Sequence, residues 1–239
     1  NAKKIILVAL EEELPKSTLP WFHIEYTGVG KINASLKTAE VIQKFSPELI
    51  INYGTAGGLA KNLHGLVEVS HFLQRDMDAR ALGFPLGQTP FDPVLTISFG
   101  RTAHSCGTGD SFVTQTPGVE TDVVDMEAYA IAKACFLKRI DFVCYKFISD
   151  GANAEASLDW TENVNKGRRL FKEKVLSFIE NTSFLLMYAT IFLILMSLGI
   201  ALTRFKVFSF QKALISSIGR VIAGPIVGYL LINNVLPLM

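Results

Sequence analysis

Three sets of carboxylates stand where a folded chain would find charge expensive. Asp150 follows the apolar run "DFVCYKFIS" (141–149) and directly precedes Gly151; Glu11, Glu12 and Glu13 follow a second apolar run, "KIILVAL" (4–10). Glu127 lies between Met126 and Ala128 in an otherwise apolar helix pattern. A carboxylate in such a setting is costly unless it has partners. Two carboxylates that face one cleft can divide proton transfer between them, one donating to a leaving group and the other taking a proton from water. Lys146, inside the run that ends at Asp150, is a further charge in apolar company.

The elements that must hold these groups are readable from hydrophobic pattern. "KIILVAL" (4–10), "ELIINYG" (48–54) and "DFVCYKFIS" (141–149) are the continuous apolar runs expected of strands buried on both faces. Between them, "KINASLKTAEVIQKF" (31–45) predicts a helix with Ile32, Leu36, Ala39, Val41 and Ile42 near one face. "VVDMEAYAIAKACFLK" (123–138) predicts another, with Met126, Ala130 and Ala134 aligned. Strands alternating with helices imply an α/β fold on a mixed or parallel sheet flanked by helices. Ligands of such sheets collect at the carboxyl ends of the strands, which points Asp150 and Glu11 to Glu13 toward one cleft.

Composition excludes several functions. A net charge of +1 leaves no electrostatic footprint for nucleic acid. Cys106, Cys135 and Cys144 have neither disulfide nor zinc spacing and are expected as core thiols. The four histidines form no ligand pattern, and Asp76 and Asp78 in "RDMDAR" are too few for a metal site, so no metal is expected. "GVGKIN" (28–33) has Asn33 where a dinucleotide fingerprint needs its third glycine, and Lys31 is not followed by Ser or Thr, so it reads as a tight turn and no cofactor is expected. "YGTAGGL" (53–59) follows an apolar strand, and its small residues leave room for a ligand.

The chain changes character near residue 180. Residues 184–203 carry no ionisable side chain except Tyr188, and a second apolar stretch covers 213–238, so two spans forming an apolar helical hairpin are expected there. The organisation expected is a catalytic domain over 1–180 and a membrane segment over 181–239. The tail loosely resembles a piece of a carrier of the auxin-efflux type.

"VALEEEL" (8–14), "TGVGKINAS" (27–35), "INYGTAGGL" (51–59), "GTGDSF" (107–112), "VDMEAYAIA" (124–132) and "FISD" (147–150) occur in the order seen in the methylthioadenosine/S-adenosylhomocysteine nucleosidases of the purine nucleoside phosphorylase superfamily, which residues 1–180 resemble. The resemblance implies a single α/β domain, usually homodimeric, that hydrolyses the N-glycosidic bond of 5′-thio-substituted adenosines in the cytosol. It implies Asp150 as the acid at the purine and Glu13 as the carboxylate that activates water. Glu127 would grip the ribose hydroxyls with Met126 packed near the sugar, and Phe112 would stack on adenine with the Val113 backbone reading its edge. Thr55, Ala56 and Gly57 of the small-residue loop and Ser149 join the substrate site, while Leu10 and Trp160 would line the 5′ end. Asn52 stands where phosphate-using relatives of the hexameric branch carry arginine, which favours water over phosphate. The chain departs from the family by contractions between Phe91 and Cys106 and between Phe112 and Val123, and by Lys146 where arginine is commoner. The alternatives are a purine nucleoside phosphorylase, another purine nucleosidase, and a membrane-tethered nucleoside-binding protein without turnover.

Overall fold

The computed structural model describes residues 3–60, 62–100, 102, 104–113, 117–152, 156–204 and 210–235. The chain divides into two units, Asn1–Glu173 and Lys174–Met239.

The first unit is built around β3 (Leu49–Gly58), which is buried for most of its length. β1 (Lys4–Val8) runs parallel to it on one side and β9 (Asp141–Asp150) parallel on the other. β2 (His23–Tyr26) extends the sheet beyond β1 in parallel. β4 (Leu66–Val69) pairs antiparallel with β9. The far end of β3 turns to another set of partners: Gly57 and Gly58 pair antiparallel with β8 (Val123–Asp125). Beyond β8 come β7 (Ser105–Thr108), β5 (His71–Gln74) and β6 (Ile97–Ser98). The register between β3 and β9 slips at Ala56/Gly57, next to the end of both strands. A bulge of this kind re-aims the side chains that follow it. The single α/β domain with a mixed sheet is thus as expected, and its three apolar runs are β1, β3 and β9.

The helices differ from the sequence pattern in two informative ways. α1 (Lys31–Phe45) forms, but it buries Ala34, Thr38 and Val41, whereas Ile32 and Leu36 are exposed. Small side chains let α1 lie close to its neighbours, so the larger residues are turned outward. α2 begins at Ala128 and ends at Lys138, and residues 123–125 of the expected helix are strand β8. Two β-branched valines favour the pleated conformation, and Asp125 Oδ2 accepts the amides of Glu127 (3.2 Å) and Ala128 (2.7 Å), starting the helix after the strand. The core joins Ile5, Leu7, Ile50, Phe72, Ile131 and Phe142. All three cysteines are buried in it, and burial pushes the Cys135 and Cys144 thiols up to about 12 and Cys106 well above its ordinary value. α3 (Ala156–Asn163) follows β9, and α4 (Arg168–Arg204) starts with Phe171 stacked on Tyr53 at 4.3 Å.

In the second unit α4 continues and α5 (Phe210–Val235) follows, with Pro225 inside it. Leu186, Phe192, Leu193, Ile215 and Ile222 are exposed. Among the described residues no helix is long and apolar enough to cross a membrane. The expected spans 184–203 and 213–238 are therefore not borne out as spans. Residues 184–185, 202–203, 213 and 227–238 of them lie outside those whose side chains are described.

Candidate active site

One cavity opens where β3, β8 and β9 end. It is lined by Leu10, Glu13, Thr55, Ala56, Gly57, Phe112, Val113, Met126, Glu127, Ser149, Asp150 and Trp160, which are all the site residues expected from sequence. Ala9, Val29, Arg75, Ser111, Val124 and Asp125 complete the lining.

Glu13 reaches the cavity from the turn after β1, while Glu11 and Glu12 are exposed. Its Oε1 accepts the Thr55 amide and the Thr55 hydroxyl, both at 2.7 Å, and its Oε2 accepts the Leu10 amide at 3.2 Å. The Arg168 guanidinium donates to the carbonyls of Glu12 and Glu13, holding the turn itself. Asp150 ends β9, and among the described residues the Ser149 hydroxyl donates to its Oδ2 at 2.8 Å and the Ala152 amide to its Oδ1 at 2.9 Å. Gly57 makes this possible, since a Cβ there would lie 2.8 Å from Asp150 Oδ1. Phe112 is half exposed and meets the Trp160 ring edge-on at 6.4 Å.

Below these groups lies a buried polar floor. Lys146 Nζ is 2.8 Å from Asp125 Oδ2, both side chains being 1% exposed. Register explains how a lysine fits inside the sheet: Lys146 is opposite Gly54, whose missing side chain leaves room for the ammonium at 3.2 Å from where a Cβ would be. Asp125 Oδ1 also accepts the Thr108 hydroxyl (2.6 Å) and the Cys106 thiol (3.3 Å). Burial works against the Asp125 charge, but Lys146, the Thr108 hydroxyl and the Ala128 amide outweigh it and hold the carboxyl below its usual range. The same pair keeps the lysine protonated: burial opposes its charge and Asp125 raises it above the ordinary value.

Glu127 receives the opposite treatment. It is buried beside Asp125, and its Oε1 accepts the Gly30 amide at 2.8 Å. Burial, and then the Asp125 charge, push its carboxyl up to about 8, against the pull of Lys146 and the Gly30 amide. The "GVG" turn, with Gly28 and Gly30 both at positive φ, is what brings that amide to the site. Lys31, the next residue, bonds Asp76 and Asp110 at the rim, and Asp78 bonds Arg80.

Asn52 lies below the cavity and does not line it. Its amide donates to the Leu7 carbonyl at 3.0 Å and its carbonyl accepts the Cys144 thiol at 3.3 Å, tying β1, β3 and β9 together. Sequence reasoning missed Asp125 and Arg75. A lysine in an apolar strand demands a counter-ion, which is a signal for Asp125 or a group like it, but spacing alone does not choose the partner.

Residues 22–180 match the model of the phosphorylase superfamily. The chain belongs to the phosphorylase superfamily. It is 33% identical over 186 residues, 65% of this chain and 79% of that protein, to the 5′-methylthioadenosine/S-adenosylhomocysteine nucleosidase of Staphylococcus epidermidis. Its fold is similar to a Streptococcus pneumoniae MTA/SAH nucleosidase in complex with 8-aminoadenine, with TM-score 0.65, 22% identity, and 74% of this chain and 98% of that chain covered. It is also similar to the futalosine hydrolase of Helicobacter pylori, with TM-score 0.68, 21% identity, and 75% and 98% covered. The superfamily match ends at residue 180, and the carrier-like reading of the tail finds no support in these comparisons.

Proposed function

We propose that this superfamily member is an N-ribosyl hydrolase that cleaves 5′-methylthioadenosine or S-adenosylhomocysteine to adenine and the 5-thioribose. The observation that carries the reading is the convergence of Glu13, Glu127 and Asp150 on one cavity, in a chain 33% identical to a nucleosidase of that specificity.

The chemistry follows from where each carboxyl is held. As the bond from C1′ to the purine breaks, its electron pair leaves with the base, and Asp150 delivers a proton to N7 so that adenine departs neutral. Water adds to C1′ and gives its proton to Glu13, whose donors Thr55 and Leu10 keep it oriented. Glu127, with its carboxyl raised to about 8, keeps its proton at neutral pH and can both donate to and accept from the ribose hydroxyls. Phe112 stacks on the base beside Val113, Met126 packs near the sugar, and Leu10 and Trp160 cover the 5′ substituent. Arg75 is the cation of the lining among the described residues, and its guanidinium is turned to its own rim, Nη2 donating to the Gly109 and Ser111 carbonyls and Nη1 to the Ser111 hydroxyl. Neutral water therefore suits this cavity better than phosphate.

Two finer readings accompany this one. The apolar side chains exposed on α1, Ile32 and Leu36, support a homodimer through that helix. Those exposed on the second unit support association with lipid, which flotation of the full chain with phospholipid vesicles would test. For the activity itself, the whole chain in detergent is given methylthioadenosine with and without phosphate while adenine is followed. Release at the same rate in both is the expected result; release only with phosphate overturns the hydrolase reading.

A further inference from the structure

The hydrogen bonds around Thr55 run in one direction. An indole N–H can only donate, and the Trp160 Nε1 lies 2.7 Å from Thr55 Oγ1. That hydroxyl therefore accepts from Trp160 and spends its own proton on Glu13 Oε1, 2.7 Å away. The Thr55 amide reaches the same Oε1 at 2.7 Å, whereas Oε2 has the longer bond, 3.2 Å, from Leu10. Oε1 is thus fully engaged with Thr55, and Oε2 is the oxygen with capacity left for a water proton.

Trp160 occupies α3, an element that reaches both carboxyl seats of the cavity. Besides the bond to Thr55, Asn163 Nδ2 donates to the carbonyl of Ser149, the residue before Asp150, at 2.7 Å. The ring of Trp160 also stands edge-on to Phe112 and lines the cavity beside Leu10. A phenylalanine would fill the same wall, but it would leave the Thr55 hydroxyl without its donor.

We propose that Trp160 is a positioning residue for hydrolysis: through its N–H and the Thr55 hydroxyl it fixes which oxygen of Glu13 faces the attacking water. The inference rests on the nucleosidase reading above, and it assigns to the indole a function separate from covering the 5′ substituent. Chains of hydrogen bonds polarise one another, so the loss of the first donor weakens the last bond as well.

The test is Trp160→Phe in the full chain, with methylthioadenosine as substrate. We expect kcat to fall about tenfold while KM stays within about twofold, since a hydrogen bond is lost and the aromatic wall is kept. Thr55→Val should lower kcat at least as far, the double variant no further than Thr55→Val alone, and Thr55→Ser should restore the wild-type value. An unchanged kcat, a loss confined to KM, or additive losses would overturn the proposal. The hydrogen bond itself is read apart from turnover. Trp21 and Trp160 are the only tryptophans, so Trp21→Phe leaves one fluorophore. Its emission maximum should shift when Thr55→Val removes the acceptor, and an unmoved emission overturns the relay. If the wild type releases no adenine, the functional reading fails and the catalytic part of the relay with it, while the emission still decides the bond.

Discussion

The floor and the mouth of the cavity each contain an aspartate at the end of a strand, and the two are treated in opposite ways. Asp125, closing β8, is sealed from solvent, paired with Lys146 and supplied with donors from Thr108, Cys106 and the start of α2. Among the described residues, Asp150, closing β9, has one hydroxyl and one nearby amide as donors and remains at the cavity surface. A charge meant to stay fixed is surrounded by obligatory partners. The carboxyl proposed here as the proton donor has few among the described residues.

The sharpest way to break that comparison is to remove the exchangeable group. Asp150→Asn should lower adenine release by about 100-fold or more, the scale of a lost general acid, while methylthioadenosine binding and the denaturant midpoint change little. Retained turnover would remove Asp150 as the acid. On the floor the consequence should be one of stability. Lys146→Met leaves Asp125 buried and unpaired and should cost about 3–5 kcal/mol in denaturant titration. Combining it with Asp125→Asn should cost less than the sum of the single losses. Additive losses would mean that the pair is not coupled.

A smaller effect separates Glu127 from both aspartates. Its carboxyl stands at about 8 in the folded protein against an ordinary 4.5, because of burial and the charge of Asp125, with Lys146 opposing and Glu13 adding to the rise. The folded state therefore keeps a proton that the unfolded chain has already lost in this interval. The stability so contributed is complete below about 4.5 and is lost as pH rises through about 8. Glu127→Gln should flatten this decline by a few degrees in Tm between these limits. Parallel Tm curves for the two proteins would place the titration elsewhere.

The mouth was more legible in the sequence than the floor. Asp150 and Glu13 are announced by the continuous apolar runs they follow, because a strand buried on both faces leaves its end as the first place for charge. Glu127 is conspicuous for the same reason. The Asp125–Lys146 pair joins positions on separate strands, and nothing local in either strand names its partner. β8 was hidden because "VVD" continues without a break into the pattern of α2, and the partner strands β3 and β7 decide its conformation. The outward face of α1 was misread because periodicity favours the bulky residues, whereas the close approach selected Ala34 and Thr38. The indole bond to Thr55 depends on where α3 comes to rest, which follows from packing and not from spacing.

The three thiols offer a use of their own. Cys106 lies on β7, Cys135 on α2 and Cys144 on β9, each sealed in the core with burial holding it far from thiolate form. A thiol reagent meets none of them until its element opens. The chain thus has a built-in clock for each part of its sheet and helix layer: the order in which the three are alkylated in dilute denaturant is the order in which those layers come apart.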